Sequence, residues 1–228
     1  MPFDAEIVSW LNSFLGASPR FDNLLHFLNG SPLLKGAPFM ILIWWLGSGG
    51  GGERDEQGGF LTRTIIGLLV ALLVARVLQD IGPHHLRPVS DPTLNLKSFM
   101  ESDPNFFRKL NSFPSDHAVE FFAMSLAIAT RRFWLGMAAF AWSLAFICLP
   151  RIYFGYHYPS DILAGAVVGM SIMAIALTLP IPRRIHDGFK RLQIEMPGVL
   201  QAAQFGIALE MANNFDDIRG VLSAMNLA

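Results

Sequence analysis

Three short fragments of this chain carry the side chains that phosphate chemistry uses. They are Arg87-Pro88, then Pro114-Ser115-Asp116-His117, then Arg151 with His157 and Asp161. Arginine binds phosphate through a planar, bidentate fork. A histidine can attack phosphorus or carry a proton, and a carboxylate beside it sets which ring nitrogen is free. Together they supply what phosphoryl transfer requires: neutralised oxygens, a nucleophile and an acid for the leaving oxygen. Singly, each fragment has a plainer reading. Either arginine alone would anchor a lipid headgroup. Ser115 alone is a helix N-cap, a lone interfacial histidine is more often structural, and His157 with Asp161 is an i,i+4 polar pair. All three fragments border apolar segments long enough to enter a bilayer, which points to a lipid substrate.

The surroundings of these fragments sharpen the reading. Pro114 and Ser115 open a helix, whose free N–H groups and positive dipole end favour an anion. His117 lies within its first turn. Tyr158-Pro159 puts His157 just before the next helix, with Ser160 as its expected cap. His84 and His85 precede Arg87, either to touch a second phosphate or as plain loop. Lys97, Arg108 and Lys109 lie in a polar insert over 89–113, where a solvated loop is preferred to headgroup steering. Glu120, one turn past the helix start, is a functional candidate by its depth, and pairing with a neighbouring helix explains it as well. The histidines at 84, 85, 117 and 157 lack a His/Cys/Glu cluster at ligand spacing, so no metal is expected. No nucleophile elbow of the Gly-x-Ser-x-Gly type occurs.

The elements that must position these residues follow from composition and pattern. Of 228 residues, 52% are hydrophobic and 15% charged, against about 25% charged in soluble domains. The net charge of −1 gives no reason to expect a nucleic-acid partner. The single Cys148, in an apolar run, reads as a small buried hydrophobe. The start, with Asp4 and Glu6, is acidic where a signal peptide has a basic start, so no cleavable signal peptide is expected. Residues 4–29 read as one amphipathic stretch, either lying in the interface with Trp10 embedded or packed on the protein. Apolar segments follow at 33–47, 61–81, 115–130, 133–149 and 160–181. The first is short for a span and ends in Trp44-Trp45, which suit a membrane boundary. Gly165 and Gly169, with Ala164 and Ala166, allow close helix packing. The glycine-rich, charged stretch at 48–59 lacks a Gly-Lys-Ser/Thr ending and reads as a linker. If the helices alternate, Arg54, Arg63, Arg131, Arg132, Arg183, Arg184, Lys190 and Arg191 share one side, which should be cytoplasmic. The three chemical fragments then share the other side.

The order Arg-Pro, Pro-Ser-x-His and Arg-x5-His-x3-Asp resembles the type 2 phosphatidic acid phosphatase superfamily, which also contains the vanadium haloperoxidases. The likeness covers about residues 76–161. It implies that His157 is a nucleophile that becomes phosphohistidine, that Asp161 orients it, and that His117 is the general acid. It implies that Arg87, Arg151, Ser115 and the backbone at Asp116 hold the phosphate, with no metal or cofactor. Three positions depart from the pattern. The lysine seven residues before the first-motif arginine is Asp80 here, and Arg76, a turn earlier, is the candidate for the missing charge. The usual glycine before the second-motif histidine is Asp116, and Ser-Phe-Pro-Ser-Asp-His is similar to bacterial undecaprenyl pyrophosphate phosphatases. The serine before the third-motif arginine is Pro150, which removes a hydroxyl and an N–H donor.

The expected protein is an all-α, polytopic membrane helix bundle with about five transmembrane helices, or six if the amino-terminal stretch inserts. Residues 1–182 would form a membrane-embedded lipid phosphatase domain and 183–228 a cytoplasmic helical tail. The expected membrane is the bacterial inner (plasma) membrane, with the site facing the periplasm or exterior. The expected activity is metal-independent hydrolysis of a lipid-linked phosphate or diphosphate, with undecaprenyl pyrophosphate the first choice. The alternatives are phosphatidic acid or phosphatidylglycerol phosphate as substrate, or, in another class, a catalytically weak lipid-binding membrane protein. Membrane helices argue against a haloperoxidase.

Overall fold

The computed structural model describes residues 2–47, 59–99, 111–180 and 183–212, and every described element of regular structure is helical. In chain order the helices are α1 (Pro2–Ser13), α2 (Pro19–Gly30), the one-turn α3 (Pro32–Lys35), α4 (Ala37–Gly47) and α5 (Gly59–Ile81). They continue with α6 (Asp116–Arg131), α7 (Phe133–Tyr153), α8 (Pro159–Thr178), α9 (Arg183–Glu195) and α10 (Pro197–Ala212). Prolines open α2, α3 and α8, where a missing N–H costs nothing.

The amphipathic stretch is two helices rather than one. Gly16 breaks it with φ +87, a conformation glycine adopts without strain, and its N–H donates to Asp22 Oδ2 at 2.9 Å. Helix α1 and the turn after it direct Asp4, Val8, Asn12 and Leu15 toward the protein and leave Phe3, Trp10 and Phe14 exposed. Asn12 is the tie point: its amide donates to the carbonyls of Lys97 and Tyr153 and accepts the Lys97 N–H at 2.8 Å.

Helices α5, α7 and α8 are long and apolar enough to cross a bilayer. Helix α4, with 11 residues, and α6, with 16 and the polar Asp116, His117 and Glu120, are shorter. The bundle is apolar outside as well as inside: Leu73, Trp134, Leu163 and Val167 are largely exposed, as in a lipid-facing surface. Inside, Phe39, Leu68, Phe121, Met124, Ile147 and Met173 join α4 through α8 in one apolar cluster.

Paired contacts fix the helix directions. Phe39 meets Phe121 with ring centroids 5.1 Å apart, and four residues earlier in each case Lys35, at the end of α3, meets His117, so α4 and α6 run parallel. A Cβ on Gly165 would lie 2.6 Å from Ser115 O and one on Gly169 2.0 Å from Val119 O, so α6 and α8 also run parallel at backbone contact. Helix α5 opposes them: Arg63 reaches Leu177 O near the end of α8, while Gln79 reaches Pro114 O near the start of α6. Arg131 lies over the Phe60 ring at 4.7 Å, beside Arg63 at that same end. The segments 82–99, 111–115 and 154–158 therefore gather at the opposite end of the bundle.

Helix α7 runs to Tyr153, four residues beyond the expected 149, and carries Arg151 in its last turn. It widens into a π-type turn over Ser143–Cys148, where the Leu149 N–H reaches back to Leu144 O. Pro150 supplies the reason: a proline inside a helix removes one donor and crowds the preceding turn. Beyond α8, helix α10 lies against α3 and α4, with Ile207 on the main cluster. Residues 213–228 of the expected tail, with Arg54 and the glycine-rich run, lie outside the described residues.

Candidate active site

The site begins with a turn closed by backbone bonds. Arg151 O accepts the N–H of Tyr156 at 2.8 Å and of His157 at 3.3 Å, which folds the histidine back beside the end of α7. Gly155 makes this possible with φ +72, and a Cβ there would also lie 3.3 Å from Val89 N. That close approach carries a hydrogen bond, Val89 N–H to Gly155 O at 2.8 Å. It ties the first fragment to the third and brings Arg87 alongside the turn.

His157 is almost wholly buried. Its Nδ1 lies 2.9 Å from the Ser112 carbonyl. A carbonyl only accepts, so Nδ1 carries the proton and Nε2 keeps its lone pair. Asp161 Oδ2 is 3.7 Å from that nitrogen. Asp161 instead accepts from Ser112 Oγ at 2.6 Å and from the Tyr158 N–H at 2.8 Å, while its own carbonyl accepts the Ser115 N–H at 3.1 Å. The expected direct Asp161–His157 bond is thus relayed: Asp161 holds Ser112, and Ser112 holds the ring. Burial, with Arg87 and Arg151 adding to it against the pull of Asp161, pushes the His157 pKa down to about 4. The ring is neutral at ordinary pH.

His117 has a different setting. Its Nε2 faces Arg151 Nη2 at 2.5 Å and Lys35 Nζ at 3.4 Å. Arg87 is close enough to both Asp116 and Asp161 for their charges to raise its pKa, while burial, the larger effect, lowers it. Ser115 stands at the N-cap position of α6 but makes no capping bond. Its buried hydroxyl has no partner among the described residues. The Asp116 carboxylate is bound by Arg76 at 2.9 Å and by Gln79. The Arg76 guanidinium thus reaches the site through Asp116.

Other expected residues stand apart. Asp80 and His84 are exposed and make no side-chain bond among the described residues. His85 stacks on Tyr158 at 4.9 Å, with Nδ1 3.4 Å from Asp161 Oδ1. Ser160 does not cap α8: Tyr158 holds that position, and the Ser160 N–H donates to Asp4 Oδ1 at 3.2 Å. Lys97 Nζ donates to the carbonyls of Ser13 and Leu15, both at 2.8 Å, and so ties its loop to the end of α1. Glu120 is fully buried one turn past His117. Arg108 and Lys109 lie outside the described residues.

Sequence reasoning missed three contributors. Ser112 acts through its backbone carbonyl, which no side-chain pattern reveals, although it opens the Ser-Phe-Pro-Ser-Asp-His run. Gln79 stands one residue before Asp80, which drew attention instead. Lys35 is 82 positions from His117 and sits in a segment read only as apolar.

The family model described as PAP2 superfamily matches residues 59–184, which hold all three fragments. Over 82% of this chain and 87% of the relative, the chain is 26% identical to a protein of Escherichia coli (strain K12) named "Putative undecaprenyl-diphosphatase YbjG". It is 30% identical to the lipid A 1-diphosphate synthase of the same organism, over 87% of this chain and 84% of that one. It is 34% identical to a bacitracin transport permease protein of Bacillus licheniformis, over 56% of this chain and 64% of that one. No solved structure matches the chain significantly.

Proposed function

From the premise that this chain belongs to the PAP2 superfamily and is a membrane-bound lipid phosphatase, we propose that it hydrolyses a lipid-linked diphosphate of the undecaprenyl pyrophosphate type through a phosphohistidine on His157. The carrying observation is the state of His157. Its Nδ1 proton is committed to Ser112 O, its ring is neutral, and both site arginines are near enough to lower its pKa. Nothing among the described residues hydrogen-bonds its Nε2, so the lone pair is available.

In the reaction His157 Nε2 attacks phosphorus, and the bond from phosphorus to the leaving oxygen breaks. Arg87, Arg151, the Ser115 hydroxyl and the backbone N–H of Asp116 bind the non-bridging oxygens. Drawing Arg151 onto the phosphate releases His117 Nε2, which, once protonated, gives its proton to the leaving oxygen. His117 then takes a proton from water, which attacks phosphorus and breaks the P–N bond. Inorganic phosphate leaves and His157 is regenerated. Two displacements replace one harder one, and the arginines stabilise charge as it develops.

The diphosphate choice rests on the Ser-Phe-Pro-Ser-Asp-His run and on the name of the first relative. We place about five segments, α4 to α8, in the bacterial inner membrane, within a catalytic region of residues 1–182. The cation-rich end, with Arg63, Arg131, Arg132 and the start of the 183–228 region, is the cytoplasmic one. The site then opens to the periplasm or exterior.

Phosphate release by the purified protein, with EDTA present, tests the reading. Undecaprenyl pyrophosphate should be cleaved at a higher kcat/KM than phosphatidic acid or phosphatidylglycerol phosphate. His157→Asn should remove turnover, a loss of at least ~10⁴-fold, while leaving the thermal transition in place. Activity surviving in that variant would sink the mechanism. A preference for a monophosphate lipid would reassign the substrate.

A further inference from the structure

A buried lysine enters the site from outside all three fragments. Lys35 ends α3, is only 3% exposed, and places Nζ 3.4 Å from His117 Nε2. Burying a lysine is costly, so its place beside His117 is a specific feature of this site. Its location is fixed by packing, because the parallel α4 and α6 contact through Phe39 and Phe121 one turn further in. Glu120 puts a buried carboxylate on the same face of α6, so this side of the bundle can hold a cation. Arg151 reaches the same ring nitrogen from α7.

Direction matters here. His117 Nε2 is the atom that hands a proton to the leaving oxygen in the mechanism above. A cation 3.4 Å from that atom is within reach of any departing oxygen that His117 protonates and of the group bonded to it. An alcohol leaving group carries little for it to bind. A phosphate leaving group, as in a lipid diphosphate, carries charge that grows as the bridging bond breaks. We propose that Lys35 is the leaving-phosphate ligand of this site, and that it makes the site select lipid diphosphates over monophosphates. The ammonium binds oxygens of the departing phosphate and offsets its developing charge, an interaction stronger in the transition state than in the ground state. At the position where the family's lysine stands this chain has the exposed Asp80, and Lys35 supplies a cation from another helix, on the leaving side.

The inference rests on the phosphohistidine reading, and its test separates the two. Full-length protein in detergent is assayed on farnesyl pyrophosphate and farnesyl phosphate, which share one tail. Lys35→Met should lower kcat/KM on the diphosphate by ~10²–10³-fold and on the monophosphate by only a few-fold. The ratio of the two constants does not depend on how much of the variant is folded. Lys35→Arg should keep most of the wild-type ratio. An unchanged ratio in Lys35→Met overturns the proposal, whether both activities persist or both fall together. If the wild type cleaves neither lipid, or His157→Asn still cleaves them, it is the phosphohistidine reading that fails.

Discussion

The two histidines of the site are held in opposite ways. His157 belongs to a local construction: a turn closed on Arg151 O, a ring nitrogen on Ser112 O, and a carboxylate four residues on that binds Ser112 in turn. His117 belongs to a distant one, where α3 and α7 each bring one cation to a single ring nitrogen carried by α6. The first is complete without substrate, its tautomer set and its ring neutral. The second has Nε2 facing Arg151, and in the proposed mechanism it donates its proton once a phosphate draws the guanidinium away. On the proposed roles, the nucleophile is preorganised and the acid is assembled by the substrate.

The largest effect that divides them is dependence on the leaving group. In the proposed mechanism His157 makes the bond to phosphorus, so its loss should be complete on every substrate. His117→Ala should cost about 10²–10⁴-fold on phosphatidic acid, whose alcohol leaves poorly without a proton. In kcat/KM, which reads only the steps up to departure of the leaving group, the cost should be much smaller on p-nitrophenyl phosphate, whose leaving group needs no acid. Equal losses on both would erase the distinction between nucleophile and acid.

The pH profile reads the preorganised side directly. Only the neutral His157 ring attacks, and burial keeps it neutral down to about pH 4. Corrected for ionisation of the substrate, kcat/KM should stay level on the acid side to that value and fall about tenfold per pH unit below it. An acid limb near 6.5, the ordinary histidine value, would mean that the ring is not held away from water.

Ser112→Ala probes the relay with a smaller expected effect. It keeps the carbonyl that binds Nδ1 but removes the hydroxyl that donates to Asp161 Oδ2 at 2.6 Å. Losing one partner of a buried carboxylate costs ~1–3 kcal/mol. We expect roughly tenfold lower kcat with little change in KM, because the ring loses its restraint rather than the substrate its contacts.

What could be seen in the sequence follows the same division. The preorganised half was visible because its parts sit at short, fixed spacings: Arg151, His157 and Asp161 on one turn, Pro114 to His117 at one helix start. The relay through Ser112 was hidden because a backbone carbonyl does the work. The substrate-assembled half was only partly visible, since Lys35 and His117 are brought together by helix packing across 82 positions. Helix cores were readable from apolar runs, and ends were not. Pro150 was read as a lost donor, yet in the structure it sits just beyond a π-type turn that extends α7 to Tyr153. The break at Gly16 was missed because only a positive φ shows why the amphipathic stretch bends there.

Arg76 gives the finest test of the comparison, because it was read from the sequence as the replacement for the missing lysine. Its guanidinium is instead shared between Asp116 Oδ2 at 2.9 Å and Gln79 Oε1 at 2.8 Å, and its side chain is 41% exposed. A pair this open is worth ~0.2–1 kcal/mol. Arg76→Ala should therefore lower kcat/KM by only about two- to fivefold, through a looser start to α6 and a less fixed His117. Asp116→Ala should do much the same, and the double variant should be no worse than either single one, since both break one contact. A phosphate ligand would behave otherwise: Arg76→Ala alone would cost at least ~10²-fold, and the Asp116 variant would not mask it. That outcome would move Arg76 into the phosphate-binding set and make the cation side of the site more local than its geometry implies.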